Sequence, residues 1–256
     1  MKDSINKAAT RCFAEHTGQP LHWHYCTDIM KGSPVDPTVR QSIEMLHSGE
    51  MNLRLGRLLL VIGMPVMITH NFDVQSGIVN GSMGTLIRSR YTTDIEGRRH
   101  AILCMVHTPS SAKNMLPHLR LFQSVVLEDS VEITLNHPHS KQAYKFRQTQ
   151  VTIIPSFAMT AHKSQGLTLS HAIVDIESCF GSEAPYVMLS RVKSLETLLI
   201  LRPFSFKRIT CRRSEDARCE DRQLEILHLS TMICHRTPND CITAERQLAQ
   251  LMGGIT

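Results

Sequence analysis

Residues 157–201 read FAMTAHKSQGLTLSHAIVDIESCFGSEAPYVMLSRVKSLETLLIL. Three apolar runs of strand length punctuate this stretch: FAMTAH (157–162), AIVDI (172–176) and TLLIL (197–201). Between the last two, APYVMLSRV (184–192) carries a helix-compatible pattern. Strand, loop, strand, helix, strand is the grammar of an α/β sheet. The polar run Thr160-Ala161-His162-Lys163-Ser164-Gln165-Gly166-Leu167-Thr168-Leu169 is therefore expected on a loop at the sheet's edge, where α/β proteins place ligands.

Upstream the grammar changes. MGTLIRSRY (83–91), AILCMVH (101–107), SVVLEDSVEITL (124–135) and AYKFRQTQVTII (143–154) are rich in Val, Ile, Thr and Tyr. Turn signals at Glu96-Gly97, Thr108-Pro109 and Asn136-His137-Pro138 separate them, which predicts a small barrel inserted into the α/β domain. LLLVIGMPVMITHN, from Leu58, suits a buried strand, a turn at Gly63-Met64-Pro65 and a second strand. Residues 2–16 read as a helix capped by Asp3 or Ser4, with Ile5, Ala8, Ala9, Cys12 and Phe13 on its apolar face. Gly18, Pro20, Gly32, Pro34 and Pro37 break residues 17–37 into turns, and Val39 to His47 suits a short helix. Two helices are expected near 216–229 and 240–252.

Length and composition bound the function. A chain of 256 residues with 42% hydrophobic content buries a core without disulfides or metal. The longest apolar stretch, Leu58 to Ile68, has eleven residues, short of the roughly 20 a spanning helix needs. The N-terminus MKDSINKAATRCF lacks an apolar signal core, and the eight cysteines never form a C-x-x-C pair. An intracellular protein with reduced, mostly buried thiols is expected. The net charge of +5 is uneven: residues 83–150 and 151–213 each carry an excess of four basic groups, and residues 214–256 an acidic excess of three. A basic middle attracts polyanions, although solvated surface explains the same excess.

Two elements carry chemistry. The loop from Thr160 packs hydroxyls, a cation, an amide and a glycine together, a set suited to phosphate oxygens. Arg191 closes the segment Tyr186-Val187-Met188-Leu189-Ser190-Arg191-Val192 some 25 residues later, placed to point toward the edge that holds Lys163. Taken alone, such an arginine is ordinarily a surface or salt-bridging residue.

MTAHKSQGLTLSHAIVD followed by PYVMLSRVKSLETLLIL resembles the fifth and sixth helicase motifs of the superfamily 1B DNA helicases. Within that superfamily the likeness is to the Pif family, its relatives of RecD and Dda type, and the helicase parts of Helitron-like transposons. GMPVMITHNFDVQSGIVNGSMGTL resembles the family's strand–turn segment, ending in the turn Asn80-Gly81-Ser82-Met83-Gly84. KDSIN (2–6) resembles its Asn-containing fourth motif, and RPFSFKRITCRR looks like fungal members.

The resemblance covers about residues 1–213 and implies an α/β fold, the second RecA-like domain of a helicase. That domain would be discontinuous, formed by residues 1–84 and 157–205, with an inserted SH3-like barrel at 85–156 and a helical tail at 206–256. It implies the C-terminal part of an ATP-dependent 5′–3′ DNA helicase of nuclear or mitochondrial location. Arg191 would be the arginine finger that neutralises charge during phosphoryl transfer. Gln165 and Gly166 would line the nucleotide cleft, while Thr160, His162, Lys163, Ser164 and Asn80 would meet single-stranded DNA.

ATP and Mg²⁺ belong to the complete family architecture. This sequence has no Gly-Lys dipeptide, hence no phosphate-cradling G-x-x-x-x-G-K-[S/T] loop. The expectation is a fragment that binds neither cofactor by itself and is inactive without an N-terminal RecA-like half. Single-stranded DNA and that half are the expected partners, and no membrane is.

Two rivals stand beside this reading. One is a non-catalytic single-stranded nucleic-acid-binding module built on the barrel, for which only Tyr91, Tyr144 and Phe146 offer rings, each more naturally core. The other is a metal site from His22, His24 and Cys26, or from Cys211, Cys219, Cys234, His235 and Cys241. Neither set has the C-x₂₋₄-C spacing that structural zinc favours.

Overall fold

The computed structural model describes residues 2–44, 54–111, 118–136, 143–210, 214–235 and 238–253. The chain divides into two compact units, residues 1–160 and 161–256. The expected turn at Asn136-His137-Pro138 lies partly outside the described residues, as do Cys211 and the side chains of Tyr144 and Cys241.

The first unit opens with α1 (Lys2–Thr17). Its buried stripe is Asn6, Thr10 and Ala14, not the face centred on Ile5 and Cys12, which are exposed. Long-range bonding sets this rotation. Asn6 Nδ2 donates to the Ala158 carbonyl (2.9 Å) and its Oδ1 accepts from the Ala158 N–H (2.7 Å). Thr10 Oγ1 donates to the Asn6 carbonyl, so a polar row faces inward and Phe13 leans onto Phe157, ring centroids 5.8 Å apart.

Three short strands follow where only turns were expected: β1 (His22–Tyr25), β2 (Thr27–Met30) and β3 (Ser33–Pro34). After α2 (Pro37–Glu44) come β4 (Arg57–Leu60) and β5 (Pro65–Ile68). Gly63 turns the chain between them at φ +89°, and its N–H donates to the Leu86 carbonyl. The long strands are β6 (Met83–Thr93), β7 (Arg99–His107), β8 (Gln123–Asn136) and β9 (Ala143–Val151), with β10 (Ile153–Pro155) returning along β5.

One sheet runs β10-β5-β6-β7-β8-β9-β2-β3, with β1 pairing β4 and β7. Its pairings are antiparallel except the single β1–β7 register His24↔Arg99. β8 changes partner along its length, pairing β7 through Leu127 and β9 from Glu128. Two bulges between β6 and β7, at Leu86/Arg88 and Arg90/Tyr91, bend the sheet. Gly84 sits where β6 meets β7 most closely: a Cβ there would lie 2.4 Å from the His107 carbonyl oxygen.

Leu58, Met64, Val66, Ile68, Leu86 and Cys104 anchor the core on the sheet's inner face. A polar pocket of the same unit holds Asp28, which accepts from Cys26 Sγ (3.1 Å) and Gln148 Nε2 (3.1 Å). Burial raises both the Asp28 carboxyl and the Cys26 thiol pKa.

The second unit contains α3 (Ala161–Ser164), β11 (Ala172–Val174), α4 (Ala184–Leu189), β12 (Leu198–Ile200), α5 (Lys207–Thr210), α6 (Glu215–His235) and α7 (Pro238–Gly253). β11 and β12 pair in parallel, and an isolated bridge between Leu169 and Val192 is parallel as well. The helix pairs α3 with α4 and α6 with α7 pack together.

The architecture is thus mixed α/β, but its large sheet is antiparallel and parallel pairing is confined mainly to this small one. FAMTAH does not form the expected strand. Asn6 takes up the backbone groups of Ala158 that a ladder would need, and the chain turns into α3 at Ala161. Among the described residues no helix is long and apolar enough to cross a membrane.

Candidate functional site

The loop from Thr160 is a single helical turn closed by a glycine. Thr160 and His162 are exposed and Lys163 is half-buried. Ser164 is buried and its Oγ donates to the Ala161 carbonyl (2.8 Å), so this hydroxyl secures the turn from inside. Gln165 is exposed. Gly166 takes φ +79° with open space around its Cα, a backbone that excludes ordinary side chains by strain rather than by crowding. Leu167 N–H then donates back to the Ser164 carbonyl (3.0 Å).

Arg191 meets this turn. Ser190 caps the end of α4, and Arg191 Nε donates to the Val187 carbonyl (2.7 Å), a cation on the carbonyl end of a helix. Its Nη1 donates to both the Ser164 and Leu167 carbonyls, each at 3.2 Å, and its Nη2 to Ser190 Oγ (2.7 Å). Four of the five guanidinium N–H groups are thereby engaged locally. The main chain reinforces the contact, because Leu169 N–H donates to the Arg191 carbonyl (2.7 Å). The arginine and the Ser-Gln-Gly bend therefore share one rim of the second unit.

Nearby in the same unit, Asp175 at the end of β11 accepts from Arg202 Nε and Nη2, both at 2.9 Å, which holds its carboxyl below the usual range. A bidentate clamp of this kind fixes the strand end. Beyond it the surface is apolar. Ile173 and Leu199, opposite one another in register, are 66% and 60% exposed, although parallel strands are ordinarily covered on both faces.

Asn80 belongs to the first unit. It is exposed, and its N–H donates to Asn71 Oδ1 (2.8 Å) in the turn that Gly81 closes at φ +97°. Of the rings expected in the core of this unit, Phe146 is core, whereas Tyr91 is 41% exposed, under Arg99 (4.6 Å to the ring centre) and edge-on to His24. Trp23 and Tyr25, on one face of β1, lie under Arg57 (4.7 Å) and Arg98 (5.1 Å), with Lys7 also on Trp23. Their signal was the alternation in HWHYCTDIM, obscured by the flanking glycines and prolines. Asn6, which fixes the segment leading into Thr160, was visible only as part of KDSIN.

Among the described residues no group of three or more His, Cys, Asp or Glu side chains is placed to hold a metal. Cys26 is turned onto Asp28, and Cys219 and Cys234 are exposed. The expectation of mostly buried thiols is corrected: Cys26, Cys104 and Cys179 are buried, while Cys12, Cys219 and Cys234 lie on exposed helix faces.

Comparison with known proteins agrees with the motifs. The ATP-dependent DNA helicase PIF1 of Danio rerio is 32% identical over 171 residues, 65% of this chain and 22% of the relative. Its namesake from Psychrobacter is 40% identical over 79 residues, 30% of this chain and 12% of the relative. The chain is similar in sequence to the Pif1 helicases.

It spans about a fifth of the length of the Danio rerio Pif1. No protein-family profile matches it. Among solved structures, Pif1 helicase from Candida albicans superposes with a TM-score of 0.52 at 21% identity, over 86% of this chain and 48% of that one. Bacteroides Pif1 bound to single-stranded DNA gives 0.52 at 19% identity, over 86% and 43%. At these identities the structures speak for a shared Pif1 fold.

Proposed function

We propose that this chain supplies the second motor domain of a Pif1-type 5′–3′ DNA helicase: the arginine finger and part of the single-stranded DNA track. In this reading residues 1–84 and 157–205 make the RecA-like domain, 85–156 an SH3-like insert and 206–256 a helical tail. The observation that carries the reading is the shared rim, with the Arg191 guanidinium 3.2 Å from the Ser164 and Leu167 carbonyls. One element then senses phosphate while the adjoining turn touches the nucleic acid. A Bacteroides Pif1 structure contains ADP-AlF3 and single-stranded DNA, the two ligands this arrangement calls for.

The residues fit one side of a nucleotide only. Arg191 offers a cation and Gln165 an amide. The sequence has no phosphate-cradling loop, and the described residues hold no carboxylate cluster for Mg²⁺. A finger lowers a barrier only when another surface has positioned ATP and metal. That surface has to come from an N-terminal RecA-like half, and the exposed Ile173 and Leu199 are suited to cover by another domain. On the DNA side Thr160, His162 and Lys163 are the loop contacts and Asn80 is a separate one, with Ser164 acting through the turn it secures.

The test is ATP turnover by the purified chain with saturating single-stranded DNA. No stimulated hydrolysis is expected, and robust turnover that Arg191→Ala abolishes would contradict the half-motor reading. The rival, a binding module without any catalytic partner, draws on the ring-and-cation face at Trp23, Tyr25, Arg57 and Arg98. Restoration of DNA-stimulated turnover by adding a Pif1 N-terminal domain in trans separates the two.

A further inference from the structure

Four cation–ring contacts occur among the described residues, all in the first unit, and three of them gather on one face of β1. Alternation along the strand puts Trp23 and Tyr25 on that face and His22 and His24 on the other. Arg57, directly opposite Tyr25 in the β1–β4 register, reaches diagonally over Trp23, 4.7 Å from its ring centre. Lys7, exposed on α1, stands 5.4 Å from the same ring, and Arg98 stands 5.1 Å from that of Tyr25. Contacts of this kind ordinarily occur about once per 70–80 residues, so three on one four-residue strand mark a local feature rather than background.

A ring acts on a cation differently from a carboxylate. Glu44 and Glu96 neutralise Arg98, at 3.2 and 2.9 Å. A ring quadrupole draws the cation to one place and leaves its charge intact. Among the described residues Lys7 forms no ion pair, so the charge that Trp23 holds at the surface is open to an anion. Trp23 and Tyr25 are half-buried, and part of each ring reaches solvent. Two positions apart on an extended strand, they are spaced about 6–7 Å along it. Successive nucleotides of an extended single strand can follow such steps.

We propose that this face is a second contact for single-stranded nucleic acid, with phosphates on Lys7 and Arg57 and bases against Trp23 and Tyr25. Cations interleaved with accessible rings are the chemistry of sequence-tolerant single-strand binding. A duplex keeps its base faces stacked inside, so it can use the cations only. The inference goes beyond the half-motor reading and does not rest on it. None of these residues belongs to the loop at Thr160, and the contact needs neither a nucleotide nor a second motor domain.

Trp23 is the only tryptophan in the chain, so its fluorescence reports on this face. Oligothymidylate titrated into the full chain should quench that emission and shield it from acrylamide, while a duplex of equal length should do neither. Lys7→Gln should lower the salt slope of the affinity read from quenching by about 0.7, the increment for one phosphate contact. Tyr25→Leu should weaken that affinity about tenfold. The double variant His162→Ala, Lys163→Gln should still be quenched, because the loop at Thr160 is a separate contact.

No quenching by oligothymidylate overturns the proposal, whatever the anisotropy of the oligonucleotide shows. Equal quenching by the duplex, or loss of quenching in the loop double variant, overturns it as well. Should Tyr25→Leu fail to fold, Lys7→Gln decides, since Lys7 is exposed: an unchanged slope contradicts the site. Quenching that persists while the loop substitutions leave the anisotropy unchanged would refute the loop's grip and support this face. Binding by anisotropy without quenching would do the reverse.

Discussion

His24 sits in the middle of β1, 2% exposed, between Tyr91 and Arg99. Burial is the main cause of its pKa falling from 6.5 to about 4, with Arg99 adding repulsion and a backbone contact at His22 pulling the other way. The sign follows from which state takes the proton. Below pH 6.5 the unfolded chain protonates this imidazole while the folded chain does not until about pH 4, so stability falls across that window.

At pH 5 the two pKa values differ in protonation by a factor of roughly thirty in the unfolding constant, about 2 kcal/mol. His22, also lowered by burial, adds in the same direction, whereas the raised Asp28 carboxyl opposes it. The comparison that isolates His24 is therefore wild type against His24→Phe, which keeps a ring edge for Tyr91. Trp23, the only tryptophan and the neighbouring residue, reports unfolding of this unit in urea by fluorescence. Between pH 7.5 and 5 the wild type should lose about 2 kcal/mol more than the variant. Equal losses would show that His24 is not held neutral by burial, and the reasoning would fail.

Other consequences follow from single contacts. Asn6→Ala strips Ala158 of both backbone partners and should destabilise the first unit by about 2–3 kcal/mol in the same urea assay. Gly84→Ala places a Cβ 2.4 Å from the His107 carbonyl oxygen and should cost about 1–3 kcal/mol, read as a lowered urea midpoint at unchanged slope. Arg202→Ala removes the clamp that depresses Asp175, so the Asp175 carboxyl should titrate at higher pH by NMR than in wild type.

The strands from Met83 to Pro155 were legible because β-branched residues and turn signals alternate cleanly there, although Thr152 splits the last expected strand between β9 and β10. What the sequence hid was set by distant partners. The inward face of α1 follows Asn6, whose partner Ala158 lies 152 residues away. No helical periodicity reports such a bond, so Ile5 took the place of Asn6 in the expected stripe. The same pair of bonds undid the strand expected at 157–162.

At the candidate site, the nearness of Arg191 to the Ser-Gln-Gly bend was legible from position and motif. The inward turn of Ser164 was not, because a serine on a polar loop gives no sign of which way its hydroxyl points. Trp23 and Tyr25 were passed over because the prolines and glycines around them read as turns, while the four-residue strands between were long enough to pair.

The account rests on a grip for single-stranded DNA at the loop of Thr160, His162 and Lys163. Fluorescence anisotropy of a labelled single-stranded oligonucleotide, titrated with the chain at several salt concentrations, addresses this directly. Binding should weaken linearly on a log–log plot, and Lys163→Gln should reduce the slope by about 0.7, the increment for one phosphate contact on a single strand. Binding that ignores salt, or a slope that Lys163→Gln together with His162→Ala leaves unchanged, would contradict the claim that this loop holds the strand.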